Sequence, residues 1–127
     1  MDIRSKRSDR LTDSLEMALM ALAVAEEHKG EDPVILDMRR VTLVADYFVL
    51  VTGRNLIHID TMADALDDRL RAAGHALRHR EGRRRAHWTL LDFGDVVVHL
   101  FTAEERRYYD LERLWGDAEV VTRDDIG

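Results

Sequence analysis

The sequence predicts an α/β protein, bordering on α+β, in which a mixed sheet of about five strands is covered by helices. Three observations carry this. Two long stretches place apolar residues at helical spacing, around Leu11–Lys29 and Asn55–Gly74. Several short runs are rich in β-branched and aromatic residues, such as Asp46–Thr52 and Asp95–Phe101. The tetrapeptide Asp92-Phe93-Gly94-Asp95 separates two apolar runs and reads as a tight hairpin turn.

The elements follow in order. Residues 1–10 read as a polar, flexible lead. Leu11, Leu15, Leu19 and Leu22, with Ala18 and Ala25 on the same side, predict a first helix to about Lys29. Asp9 is its candidate N-cap, and Lys29-Gly30 its stop, with glycine at the left-handed position. Pro33 opens a strand over Val34–Met38, and a second covers Asp46–Thr52. Asn55 caps the next helix, whose buried stripe is Ile59, Met62, Ala63, Leu66 and Leu70, and Gly74 closes it. A weaker strand over His75–Arg80, the hairpin His87–Asp92 and Asp95–Phe101, and a last helix from Ala103 to Trp115 complete the order α-β-β-α-β-β-β-α. The expected organisation is one domain over residues 11–117, followed by a flexible tail over 118–127.

If Asp92 pairs with Asp95, then Trp88, Leu90, Val97, His99 and Phe101 share one sheet face. Leu91, Val96, Val98 and Leu100 share the other. Both faces are apolar, so both need cover, and three helices offer little for the second. Either the helices suffice, or a partner or second copy covers what they leave bare.

Composition narrows the function. The 127 residues suit a single core, and 46% hydrophobic content excludes a disordered chain. Cysteine is absent, which excludes disulfides and thiolate metal sites and points to a cytoplasmic home. No apolar stretch follows the charges of the leading MDIRSKRSDR, so no secretory signal is expected. Nineteen Lys and Arg against 25 Asp and Glu give a net charge of −6, the wrong sign for a protein whose main task is to hold nucleic acid.

A nucleotidyltransferase would need carboxylates converging on two metal ions and a Gly-Ser turn for a triphosphate. Here Gly53 is followed by Arg54, and a turn separates Asp92 from Asp95. The six histidines form no helical ligand pair, and His75 and His79 fall on a strand, where four residues is too long a reach for one ion. No catalytic residue, metal or cofactor is therefore expected.

Four segments, DYFVLVTG (46–53), EG (81–82), HWTLLDFGDVVVHLF (87–101) and YYDLERLW (108–115), together resemble the Iojap-type ribosomal silencing factors (RsfS family). The resemblance spans roughly Leu11–Asp117. It implies a mixed-sheet fold with the shape of a nucleotidyltransferase but without its active site. It implies a translational repressor that binds the large ribosomal subunit through ribosomal protein L-fourteen and sterically blocks the small subunit, lowering translation in starvation or stationary phase. A role in large-subunit assembly through the same docking site is the alternative, and a homodimer is expected for the free protein. The chain departs from the usual pattern at Ala45, where Thr is common, at Leu56–Asp60, where a basic residue is common, and at Arg83–Arg85.

The expected partner-binding residues are Trp88, Leu90, Asp92, Asp95, Val97, His99, Phe101, Tyr108, Tyr109 and Asp110. The aromatics are typical interface anchors, and the aspartates suit a basic ribosomal protein. The competing readings are core packing for Trp88, Phe101, Leu114 and Trp115, and plain turn chemistry for Asp92 and Asp95. Arg83, Arg84 and Arg85 either touch ribosomal RNA or form a solvated loop.

Overall fold

A computed structural model describes residues 3–110, 113, 116 and 118–121, with the side chains described from Asp13 onward. Among the described residues the architecture is α+β: three helices and one open sheet of six strands in the order β3-β4-β5-β2-β1-β6. The elements are α1 (Ile3–Glu27), β1 (Glu31–Asp37), β2 (Tyr47–Gly53), α2 (Leu56–Ala72), β3 (His79–Glu81), β4 (Trp88–Asp92), β5 (Val96–Thr102), α3 (Ala103–Tyr109) and β6 (Glu119–Val120). Only β2 and β5 run parallel; every other neighbouring pair is antiparallel.

Helix α1 begins at Ile3, not Leu11, and Asp9 lies inside it rather than capping it. Nothing in Ile3–Arg10 breaks a helix, since the stretch holds neither proline nor glycine. Its buried stripe centres on Met17, Ala18, Ala21, Val24 and Ala25, while Leu15, Leu19 and Leu22 flank it half-buried. Small alanines let the helix lie close to the sheet. At its end the left-handed residue is Lys29 (φ 63°), not Gly30. Gly30 N–H donates to Ala25 O (2.7 Å) and Lys29 N–H to Glu26 O (3.0 Å), a Schellman closure. Gly30 is needed for space instead, because a Cβ there would sit 2.5 Å from Val51 Cγ1.

Strand β1 starts earlier than expected, at Glu31, with a register irregularity between Glu31 and Val34 that accommodates Pro33. Helix α2 follows the sequence reading: Asn55 Oδ1 accepts from His58 N–H (2.8 Å), all five predicted stripe residues are buried, and Gly74 (φ 93°) follows its end. His58 adds a tie. Its Nδ1 accepts from Arg54 N–H (2.9 Å) and its Nε2 donates to His28 O (2.6 Å), joining the start of α2 to the end of α1.

Three strand expectations need correction. The β3 strand is three residues long and lies at 79–81, so His75 precedes it. The hairpin register is two residues along from an Asp92–Asp95 pair. Asp92 pairs with Val97, and Phe93 N–H donates to Val96 O (2.9 Å), leaving Gly94-Asp95 as the two-residue turn. Gly94 at φ 96° supplies the positive φ that the first turn position requires. A shift of two keeps every side chain on its predicted face, because strand side chains alternate with period two. Lastly, the expected tail contributes a sixth strand. Glu119 and Val120 pair with Asp37 and Leu36, and Val121 N–H donates to Ile35 O (2.9 Å), because β1 would otherwise expose an unpaired edge.

The two sheet faces carry separate clusters. Helices α1 and α2 cover Ile35, Tyr47, Val49, Val51, Leu91, Val96, Val98 and Leu100. The opposite face gathers Leu36, Met38, Leu50 and Phe101, with Val34, Phe48 and Trp88 half-buried around them. Leu114, Trp115 and residues 122–127 lie outside the described residues. No helix among the described residues is long and apolar enough to cross a membrane.

Candidate interaction surface

Strand alternation places Trp88 and Leu90 of β4, Val97, His99 and Phe101 of β5, and Phe48 and Leu50 of β2 on the face opposite α1 and α2. Phe101 leads directly into α3. The Thr102 side chain accepts from Glu105 N–H (3.2 Å) as its N-cap, and Asp110 in the left-handed region (φ 45°) ends it. This short helix brings Tyr109 over Trp88.

The result is a ladder of rings. Trp88 lies 5.1 Å from Tyr109, 5.8 Å from Phe101 and 5.8 Å from His99, ring centre to ring centre. His99 lies 4.9 Å from Phe48, and Tyr108 meets Tyr109 edge-on at 4.9 Å. These distances suit tilted aromatic contacts. Exposure grades along the ladder. Phe101, His99 and Val97 are buried, Trp88 and Leu90 half-buried, Tyr109 48% exposed and Tyr108 80% exposed. Of the ten predicted contact residues, then, Val97, His99 and Phe101 form the floor. Trp88, Leu90, Tyr108 and Tyr109 reach the surface.

His99 anchors the floor. Its Nδ1 accepts from the Trp88 indole N–H (3.1 Å), so a proton on this imidazole sits on Nε2. Burial pushes its pKa down to about 4, which keeps the ring neutral at physiological pH.

The predicted acidic residues are not gathered at the aromatics. Asp92 and Asp95 lie at the far end of the hairpin, four residue rises or ~13 Å along β4 from Trp88. Asp92 Oδ1 accepts from Gly94 N–H (2.7 Å), a turn role. Only Asp110 sits at the aromatic end, as the α3 cap. Among the described residues no three His, Asp or Glu side chains converge on one point.

Two features escaped the sequence reading. Leu43 and Val44, between β1 and β2, are among the most exposed large apolar residues described. Their short apolar run, Val41–Val44, was the available signal. Arg106 fastens α3 to the sheet: its guanidinium donates to Asp32 O (2.8 Å) and Thr52 Oγ1 (2.9 Å) and lies 5.5 Å above the Phe101 ring. A hollow of about 230 Å³ lies by the β6 edge, beside Asp37, Arg39 and Tyr47. Its charge is already spent internally, because Arg39 binds Asp37 through two side-chain bonds (2.9 and 2.6 Å) and holds that carboxyl below its usual range.

An open mixed sheet with two helices on one face and an aromatic ladder on the other defines an α+β protein. Residues 11–127 match the family described as "Ribosomal silencing factor during starvation". The chain is 40% identical over 105 residues to the Bacillus subtilis ribosomal silencing factor RsfS, spanning 83% of this chain and 89% of that one. It is 31% identical over 114 residues to the chloroplastic protein Iojap of Zea mays, covering 90% of this chain and 50% of the plant protein. A crystal structure of a Chromobacterium violaceum protein superposes with a TM-score of 0.78 at 33% identity, over 81% of this chain and 86% of that one. The chain belongs to the RsfS family of ribosomal silencing factors.

Proposed function

We propose that this protein silences translation by docking on the large ribosomal subunit. It binds there through ribosomal protein L-fourteen and excludes the small subunit by occupying the joining surface. No bond is made or broken, and the protein is a repressor rather than an enzyme. The observation that carries this reading is the graded aromatic ladder, in a chain that belongs to the silencing-factor family. Large rings with a polar edge, half-exposed beside a packed floor, are the residues that dominate binding energy in protein interfaces. The overall charge of −6 suits a basic ribosomal protein as partner.

Sedimentation tests it. The protein is run through a density gradient with purified large subunits, with small subunits, and with both under conditions that favour joining. Comigration with large subunits only, together with fewer joined ribosomes, is expected. Migration with small subunits, or undiminished joining at saturating protein, would overturn the reading.

A further inference from the structure

The loop between β3 and β4 runs against the charge of the rest of the molecule. Residues 78–87 hold five arginines and one glutamate, in a chain whose net charge is −6. Two of those arginines are placed by the fold. Arg80 pairs with Asp64 (3.3 Å) and approaches Asp60 (4.0 Å) on α2, and Arg78 sits at the Gly94 turn. Arg83, Arg84 and Arg85 differ: all three are exposed, and among the described residues none forms an ion pair.

The loop that carries them is nonetheless held. Asp60 Oδ2 accepts from Arg85 N–H (2.9 Å), and Ala86 N–H donates to Arg83 O (3.0 Å). Gly82 (φ 97°) turns the chain where a Cβ would meet Trp88 O at 2.7 Å, and Arg85 itself takes a left-handed backbone (φ 61°). The α2 carboxylates therefore engage the Arg85 backbone and Arg80. Arg84 and Arg85 line a hollow with Asp60 and Asp64, yet neither guanidinium closes an ion pair with those carboxylates.

The loop also lies at a particular corner. Arg85 is three residues before Trp88, and Thr102 N–H donates to His87 O (3.1 Å), which joins the start of β4 to the start of α3. The arginines thus lie at the sheet edge where β4 begins at Trp88, tied to α2, the helix on the face opposite the aromatic ladder. We propose that Arg83, Arg84 and Arg85 hold ribosomal RNA phosphates beside the docked aromatic face. This rests on the large-subunit reading, because a subunit surface next to a bound protein is largely RNA backbone. Guanidinium suits phosphate through paired N–H donors. The acidic remainder of the chain would keep such binding local.

The test uses the full chain, a variant with Arg83→Ala, Arg84→Ala and Arg85→Ala together, and its triple-lysine counterpart. Affinity for purified large subunits is measured over a salt series, alongside affinity for a short RNA duplex at low salt. The alanine side chains leave the Arg85 N–H bond to Asp60 available, and a melting curve checks the fold. On subunits the slope of log affinity against log salt should fall by about 0.9 for each phosphate that is no longer neutralised, so up to about 2.7 for all three. The lysine variant should keep most of the slope, and the alanine variant should lose duplex binding. An unchanged slope on subunits overturns the proposal. So does a reduced slope with equal duplex binding by parent and alanine variant, which would indicate an acidic protein surface. If the parent ignores subunits yet binds the duplex through these arginines, the docking reading fails and the RNA contact stands. If it binds neither, both fail.

Discussion

The two faces of this sheet are built from the same strands by the same alternation, yet they end differently. On one face, Leu91, Val96, Val98 and Leu100 meet α1 and α2, and nearly every side chain is buried. On the other, burial fades outward from Phe101 through Trp88 to Tyr108. The first face, Tyr47 apart, uses aliphatic strand residues against alanines, leucines and methionines of two long helices. The second uses rings and one short helix. A face meant only for packing gains nothing from rings that reach water, whereas a face meant for a partner gains large contact area at little cost in side-chain entropy.

The largest expected effect contrasts the faces directly. Leu66, on the inward face of α2, is fully buried, so Leu66→Ala should cost about 2–5 kcal/mol of folding stability and leave the affinity of folded molecules for large subunits unchanged. Trp88→Ala should do the reverse. It should cost about 2 kcal/mol of subunit binding, roughly thirtyfold, with a smaller loss of stability than Leu66→Ala. Melting curves at several protein concentrations separate any dimer contribution. If Trp88→Ala melts as early as Leu66→Ala while binding subunits like the parent, the two faces are alike and the contrast is gone.

A second prediction uses pH. Folded His99 has its pKa depressed to about 4, against 6.5 in the unfolded chain. Below pH 6.5 the unfolded chain therefore takes up a proton that the folded chain refuses. The stability is fully present above pH 6.5, is lost as pH falls, and levels off near pH 4. The total is roughly 3 kcal/mol. Denaturant midpoints measured from pH 7.5 to 4 should fall for the parent and fall much less for His99→Gln. Equal slopes for the two proteins would show that His99 is not the group that strains this face in acid.

The contrast between faces was readable in advance, and the details that were not have physical causes. Strand alternation in His87–Phe101 yields both faces correctly although the expected register was off by two, because an even slip changes no side-chain direction. The α2 stripe and its Asn55 cap were legible because periodicity and cap chemistry agree there. On α1 the alanines Ala18 and Ala25 were legible as buried, whereas the leucines around them are only half-buried and Ala21 was not foreseen, since sequence spacing cannot say that the sheet demands close approach. The β6 strand was missed because two residues carry no period, and its existence depends on the free edge of β1. At the site, the aromatic positions were legible. Which of them reach the surface was not, because Val97, His99 and Phe101 share a face with Trp88 and differ from it only in tertiary cover.

The smallest expected effect is the sharpest discriminator. Tyr108 is 80% exposed, and it meets the ring of Tyr109 edge-on. Removing it leaves no cavity, and alanine favours the helical backbone of α3 more than tyrosine does. Tyr108→Ala should therefore move folding stability by no more than about 0.5 kcal/mol. If the ladder is a docking surface, its outermost rung should still cost about 1 kcal/mol of binding to purified large subunits, close to a fivefold loss, because a rim aromatic contributes less than a central one. Tyr109, 5.1 Å from Trp88, is the internal control: Tyr109→Ala should cost more binding than Tyr108→Ala and also some stability, since it removes part of the Trp88 cover. A ranking of Trp88, Tyr109 and Tyr108 by weakened binding, with stability loss falling to zero at Tyr108, marks a partner approaching from the α3 side. Should Tyr108→Ala bind as tightly as the parent while Tyr109→Ala and Trp88→Ala do not, the partner stops at Tyr109 and the contact surface is smaller than the exposed ladder.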